Sequence, residues 1–222
     1  MGLSQRLLRT PPVPLKLVIL DCDGVLFDSL QSNISYYNAV LVEMGEPPMD
    51  PEAQRLCHIY STPQQFAHIF RGDPDKERTA VRIAAEMDYT PFLDDLAPEP
   101  GLHETLARLK ARYLLAMATN RGSSLPYVLR RFGLEETFAV VSSIARVERP
   151  KPAPDLLLYC LRATGVSPAD SVYVGDMEQD RVAAEAAGVP FILCGNNIRH
   201  PVRIRRLGEL PALLERLPGY SL

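Results

Sequence analysis

Two short acidic runs stand out in this 222-residue chain: Asp21-Cys22-Asp23-Gly24, and Gly175-Asp176 followed by Asp180. In extended backbone, residues two apart point the same way, so Asp21 and Asp23 address one site. Each run follows a short apolar stretch, and ligands of parallel sheets bind beyond the carboxyl ends of their strands. Taken singly, each run has an ordinary explanation. Asp and Gly favour turns, and Asp176 and Asp180 suit the first turn of a helix. Gathered together, the carboxylates repel: at an effective dielectric near 20, a like-charge contact at about 4 Å costs about 4 kcal/mol. A hard divalent cation removes that cost, and an all-oxygen donor set suits Mg²⁺. Thr119-Asn120 adds a hydroxyl and an amide at the end of another apolar run. Lys151 lies in Arg149-Pro150-Lys151-Pro152, where the prolines stiffen its backbone. The default for a lysine is a solvated surface charge; this setting favours a site.

The elements that must position these residues are short buried strands. Leu17–Leu20 is a continuous apolar run ending at Asp21, and Tyr113–Ala118, Val172–Val174 and Pro190–Cys194 resemble it, with a weaker run at Phe138–Val141. Uninterrupted apolar runs fit strands buried on both faces. Between them lie helical stripes: Leu102, Leu106 and Leu109; Val128, Leu129 and Phe132, with Ser124 as the cap and Gly133 as the stop; Leu157, Cys160 and Leu161 before Gly165; and an alanine-rich face before Gly188. Strands alternating with helices imply right-handed crossovers and an α/β fold, a doubly wound Rossmann-like parallel sheet. Residues 31–96 break the rhythm. Asp50-Pro51, Thr62-Pro63, Asp73-Pro74 and Thr90-Pro91 each offer a cap followed by proline at the first helical position, and Thr62 with Gln65 fits a capping box. The stretch is expected to be an inserted all-helical cap, leaving 15–30 plus 97–222 as the core. A final helix is expected over Glu209–Leu217.

Composition narrows the function. Hydrophobic residues make up 46% and charged residues 23%, which excludes wholesale disorder. A net charge of −3 gives no support to a nucleic-acid-binding surface, and the cluster Arg199, Arg203, Arg205 and Arg206 is expected to be solvated or ion-paired. No apolar run reaches the length of a membrane helix, and the N-terminal arm lacks the apolar centre of a signal peptide. Cys22, Cys57, Cys160 and Cys194 form no CxxC pair, which points to a reducing, cytoplasmic setting and to small buried apolar roles.

Together, Asp21-Cys22-Asp23-Gly24-Val25, Thr119-Asn120, Lys151 in KPAPD, and Gly175-Asp176 with Asp180 resemble the four signatures of the haloacid dehalogenase superfamily, in order and spacing. The helical insertion resembles the cap of the subgroup that includes phosphoglycolate phosphatases and β-phosphoglucomutases. The resemblance implies an Mg²⁺-dependent phosphatase of small phosphomonoesters. Asp21 would be the nucleophile that forms an aspartyl-phosphate, and Asp23 the acid and then the base, retaining a proton for the first step. Asp21, the Asp23 backbone carbonyl and Asp176 would hold the cation, with Asp180 ligating directly or through water. Thr119, Asn120 and Lys151 would hold phosphate oxygens. Asp at position 23 favours phosphoryl transfer over dehalogenation, and Thr119-Asn120 looks more like the phosphatases, although a sugar phosphomutase or a pyrophosphatase would use the same scaffold. Val25 stands where many relatives carry Thr. Substrate choice is expected in the cap, with Arg55, His58, Ser61, Arg71, Lys76 and Arg78 as candidates and Arg121 as a possible partner for an anionic tail. His68 is weighed beside His58, while Tyr36, Tyr37 and Met44 read as packing. The expected partner is a small phosphorylated metabolite rather than nucleic acid or membrane, for a monomer or homodimer.

Overall fold

The computed structural model describes residues 15–57 and 60–216. Six parallel strands form one sheet in the order β5-β4-β1-β6-β7-β8: β1 Leu17–Leu20, β4 Leu114–Thr119, β5 Val140–Ser143, β6 Ser171–Gly175, β7 Phe191–Cys194 and β8 Arg203–Ile204. β1 lies at the centre, with Leu20 opposite Met117 on one side and Val174 on the other, so the carboxyl ends of β1, β4 and β6 converge. All four β1 residues are buried because the sheet is covered on both faces. Val18 and Leu20 point into one core with Leu115, Met117, Val172 and Val174. Leu17 and Ile19 point into the other with Ala116, Ala118 and Tyr173, beneath α7 (Asp155–Thr164) and α8 (Glu178–Ala187). In α8 the small side chains of Ala183 and Ala184 let the helix settle close to the sheet. The first face is covered by α5 (Leu102–Lys110), α6 (Leu125–Arg131) and α9 (Leu210–Arg216).

Between β1 and β4 the chain makes a helical excursion of α1 (Leu30–Glu43), α2 (Pro51–Leu56), α3 (Thr62–Ile69), α4 (Pro74–Glu86) and a 3₁₀ turn at Thr90–Asp95. The cap-then-proline signals start α2 and α4: Asp50 accepts from the Ala53 N–H at 2.7 Å, and Asp73 from Lys76 N–H at 3.1 Å. At α3 the expected start is displaced by one residue. Ser61 is the N-cap, and Gln64 Oε1 accepts from the Ser61 N–H and hydroxyl, both at 2.9 Å, because two adjacent hydroxyl residues compete for the position. The fourth signal opens only the 3₁₀ turn, with Tyr89 at its cap, and Ser124 makes no side-chain cap to α6. The excursion joins the sheet through a two-stranded antiparallel ribbon, β2 (Phe27–Asp28) against β3 (Ala97–Pro98), too short to be read from sequence periodicity. Its apolar interior, with Tyr36, Tyr37, Val40 and Phe66, is continuous with the core beneath the sheet.

Of the last helix, Leu217 lies outside the described residues, as does the N-terminal arm. No helix among the described residues is long and apolar enough to cross a membrane.

Candidate active site

The sequence-predicted residues Asp21, Asp23, Thr119, Asn120, Arg121 and Lys151 line one cavity of about 60 Å³, between the strand ends and the helical excursion. Asp21 extends β1 by donating its N–H to the Val174 carbonyl at 2.9 Å, so its side chain starts from the rigid centre of the sheet. Its Oδ1 accepts from the Cys22 N–H at 2.7 Å, and its Oδ2 lies 2.7 Å from Lys151 Nζ. Gly24 then turns the chain with φ +75°, and a Cβ there would overlap the Asp176 carboxylate. Glycine is required twice over, by its dihedral and by the close approach.

Lys151 is 1% exposed and fully committed. Its ammonium reaches Asp21 Oδ2 and Asp180 Oδ1, each at 2.7 Å, and donates to the Tyr173 hydroxyl at 3.0 Å. Three donors meet three acceptors. Its backbone is gripped by Asn120, whose Oδ1 accepts from the Lys151 N–H at 2.9 Å while Nδ2 donates to the Lys151 carbonyl at 3.2 Å. The amide of Asn120, expected on phosphate, therefore holds the lysine loop instead. Thr119 Oγ1 accepts from the Arg121 N–H at 3.0 Å and fixes the turn after β4.

Asp180 sits in the first turn of α8 and fulfils the cap reading. Its Oδ2 accepts from the Asp176 and Met177 N–H groups at 3.2 and 2.9 Å, as a helix cap does. Its Oδ1 takes Lys151 and the Tyr173 hydroxyl, the latter at 2.9 Å. Asp176, beside it at the end of β6, accepts from Asn197 Nδ2 at 3.1 Å. Sequence reasoning missed Tyr173 and Asn197. Tyr173 reads only as a strand residue, and Asn197 comes from a loop after β7 with no motif of its own.

One carboxylate oxygen from each of Asp21, Asp176 and Asp180 lies within 4.8 Å of the others, all three side chains being buried. Burial pushes Asp21 up to about 7, the Asp180 charge adding to the rise and Lys151 opposing it. Burial pushes Asp176 up to about 8, helped by the charges of Asp180 and Asp21. A single lysine leaves this cluster short of positive charge, and its donors are all oxygens. The residues present therefore fit a hard divalent cation.

Asp23 departs from the expectation that it retains a proton. Burial would raise it, but the Arg121 guanidinium overrides this and holds the carboxyl below its ordinary value. Arg121 Nε donates to Asp23 Oδ2 at 3.2 Å and Nη2 pairs with Oδ1. Arg121 Nη1 donates to the Tyr89 hydroxyl at 3.0 Å and the Ser124 hydroxyl at 3.2 Å, and the guanidinium lies 5.4 Å from the Tyr89 ring centroid. The Tyr89 hydroxyl also meets Ser32 of α1 at 3.0 Å, so this pairing links the strand end to the helical excursion.

The wall opposite the carboxylates is phenolic and hydroxylic, with Tyr36, Tyr37, Tyr60, Ser61 and Thr62. Tyr36 and Tyr37 pack within the helical excursion and also line the cavity. Of the expected cap contacts, Ser61 lines the cavity, while Arg55 is exposed away from it. Arg71, Lys76 and Arg78 pair with Glu52, Glu46 and Asp75 on the outer surface, because neighbouring carboxylates of the same helical unit claim them. His68 lies against Arg71 and the Tyr60 ring, outside the cavity lining. His58 lies outside the described residues.

The sequence profile of haloacid dehalogenase-like hydrolases matches residues 18–194. The chain is similar to a phosphoglycolate phosphatase of Chromobacterium violaceum, 30% identical over 192 residues that cover 82% of this chain and 85% of that protein. Among solved structures it is similar to a haloacid dehalogenase-superfamily hydrolase of Geobacter sulfurreducens, at 38% identity and a TM-score of 0.73, covering 92% and 99% of the two chains. A β-phosphoglucomutase of Clostridium difficile, at 18% identity, TM-score 0.75 and coverage of 88% and 93%, shares the fold. With the profile spanning both acidic runs and every strand from β1 to β7, the chain belongs to the haloacid dehalogenase-like hydrolases and is a phosphatase of that family.

Proposed function

We propose that the protein hydrolyses a small phosphomonoester, of the size of phosphoglycolate, with Asp21 as nucleophile and Mg²⁺ as its cation. The observation that carries this reading is Asp21 itself: a buried carboxylate fixed at the end of the central strand, with one oxygen on Lys151 and two further carboxylates beside it. Asp21 and Asp176 would hold the ion, together with the Asp23 backbone carbonyl. Both Asp180 oxygens already accept two hydrogen bonds each, which favours contact through water. When bound, Mg²⁺ supplies charge neutralisation for the phosphate and for its carboxylates.

Asp21 attacks phosphorus in line, and the bond from phosphorus to the ester oxygen breaks. Released from Arg121, Asp23 takes a proton from solvent, passes it to that departing oxygen and then removes one from the water that cleaves the acyl phosphate, returning Asp21 as a carboxylate and releasing phosphate. Lys151 holds Asp21 in register and neutralises charge, while Asn120 and Tyr173 hold Lys151. Thr119 and the backbone of the turn after β4 face the phosphate. The phenolic wall excludes water from the reacting atoms. The position of the cavity, between the strand ends and the helical excursion, supports a small substrate over a protein. The four cysteines are buried and unpaired, which supports a reducing compartment such as the cytoplasm.

Phosphate release from phosphoglycolate and a panel of small esters, with Mg²⁺ and with a chelator, tests the reading. Release that needs Mg²⁺ and is lost in Asp21→Asn supports it; release that survives Asp21→Asn removes the assigned nucleophile.

A further inference from the structure

Arg121 is a buried cation facing the cavity, its side chain 3% exposed, and its donors divide into two sets. Nη1 is anchored on neutral groups, the Tyr89 and Ser124 hydroxyls, and the guanidinium rests over the Tyr89 ring. The other edge, Nε with Nη2, is the fork that matches a carboxylate, and it is filled by Asp23. If Asp23 turned away, the anchors would keep the guanidinium in place and leave the fork open. Among the described residues, Arg121 and Lys151 are the cations that line the cavity. All three Lys151 donors are already taken, and the facing wall offers phenols and hydroxyls without charge.

We propose that Arg121 is a specificity-determining residue with two alternative carboxylate partners: Asp23 before substrate binds, and an acidic group on the non-phosphate end of the substrate once it is seated. The exchange is like for like. A carboxylate two bonds from the ester oxygen lies beside Asp23, and without Arg121 the two negative charges would face each other in a buried cavity. Taken onto the fork, the substrate's carboxylate replaces Asp23 as the guanidinium's partner, and the Asp23 oxygens become free to face the ester oxygen. An ester with a neutral end has nothing to exchange and leaves Asp23 on Arg121. The preference for an acidic ester is then built into the loop after β4 rather than into the helical excursion.

This inference rests on the phosphatase reading of the same cavity, and the test separates the two. Values of kcat/KM are measured in saturating Mg²⁺ for phosphoglycolate, ethyl phosphate and p-nitrophenyl phosphate. The wild type is expected to favour phosphoglycolate over ethyl phosphate by about 100-fold or more, as a buried site built for a charged partner rejects the analogue that lacks it. Arg121→Gln is expected to bring that ratio to within about tenfold, whatever its absolute rates, and Arg121→Lys to fall between. Tyr89→Phe, which removes one anchor and keeps the charge, is expected to lower the ratio partway, and it carries the test if Arg121→Gln does not fold. A wild type with no preference for the acidic ester overturns the inference while leaving the phosphatase reading intact. So does an Arg121→Gln enzyme that slows on all three esters equally. No release from any ester by the wild type overturns both.

Discussion

Asn120 and Lys151 exchange two hydrogen bonds across 31 residues, the side-chain amide of one pairing with the backbone N–H and carbonyl of the other. The amide does for the lysine loop what a neighbouring strand does in a sheet. The ammonium can then be aimed at Asp21 without its backbone drifting. Removing the grip in Asn120→Ala is expected to cost about 2 kcal/mol, at about 1 kcal/mol for each net hydrogen bond, and to lower the melting temperature by about 4–8 °C. We expect kcat to fall about 10- to 100-fold, since the lysine is misplaced rather than lost. Thermal unfolding and steady-state kinetics on one preparation check both numbers.

Tyr173 completes the same lysine. Its hydroxyl accepts from Lys151 and lies 2.9 Å from Asp180, with the Ala118 carbonyl at 3.2 Å. Tyr173→Phe keeps the ring packed beneath α8 and deletes the oxygen alone. The expected outcome is a kcat lower by about tenfold with KM within about twofold. A change confined to KM would contradict it.

Gly24 has no room for a side chain. In Gly24→Ala the new methyl meets the Asp176 carboxylate, on a backbone whose φ of +75° already disfavours it. Displacing Asp176 is expected to weaken Mg²⁺ activation by about 10- to 100-fold, the usual effect of disturbing a ligand's support. A titration of activity against Mg²⁺ concentration reads the shift directly.

The raised carboxyls predict how stability responds to pH when no cation is added. Asp21 and Asp176 titrate at about 7 and about 8 in the folded chain, against 3.8 for an unperturbed Asp. The folded state therefore holds protons that the unfolded state has released. Their stabilising contribution is fully present below about pH 4 and is lost as pH rises through about 7 to 8. A cation binds the ionised forms and opposes the loss. The melting temperature in Mg²⁺ minus that in chelator is thus expected to widen between about pH 5.5 and about pH 8.5. A gap that stays constant or narrows would show that these carboxyls do not bind the cation.

The sequence carried the strands and the acidic pairs well because both depend on local facts. Leu17–Leu20 is apolar throughout and buried on both faces, and Asp21 follows it directly, so the strand and the proposed nucleophile are legible together. Asp50-Pro51 and Asp73-Pro74 start helices by rules that operate within one turn. What stayed hidden depends on distance in the chain. Asn120 reads as a phosphate ligand until Lys151 is beside it, and Asp23 reads as a protonated acid until Arg121 arrives from 98 residues away. Tyr173 is one apolar strand residue among several until its hydroxyl is seen to reach past the strand end. The cap cations were misjudged for a related reason. Arg71, Lys76 and Arg78 each have a carboxylate within their own helical unit, and a charge that finds a nearby partner on the surface has no reason to turn inward.

The ribbon of Phe27–Asp28 against Ala97–Pro98 brings the departing and returning chain side by side, and the Glu99 N–H continues the pairing to the Leu26 carbonyl at 2.9 Å. The intervening segment therefore leaves and rejoins the core at one place. The ribbon thus pins the two ends of the excursion together, while the chain of contacts from Arg121 through Tyr89 to Ser32 holds it to the loop after β4 at a second point.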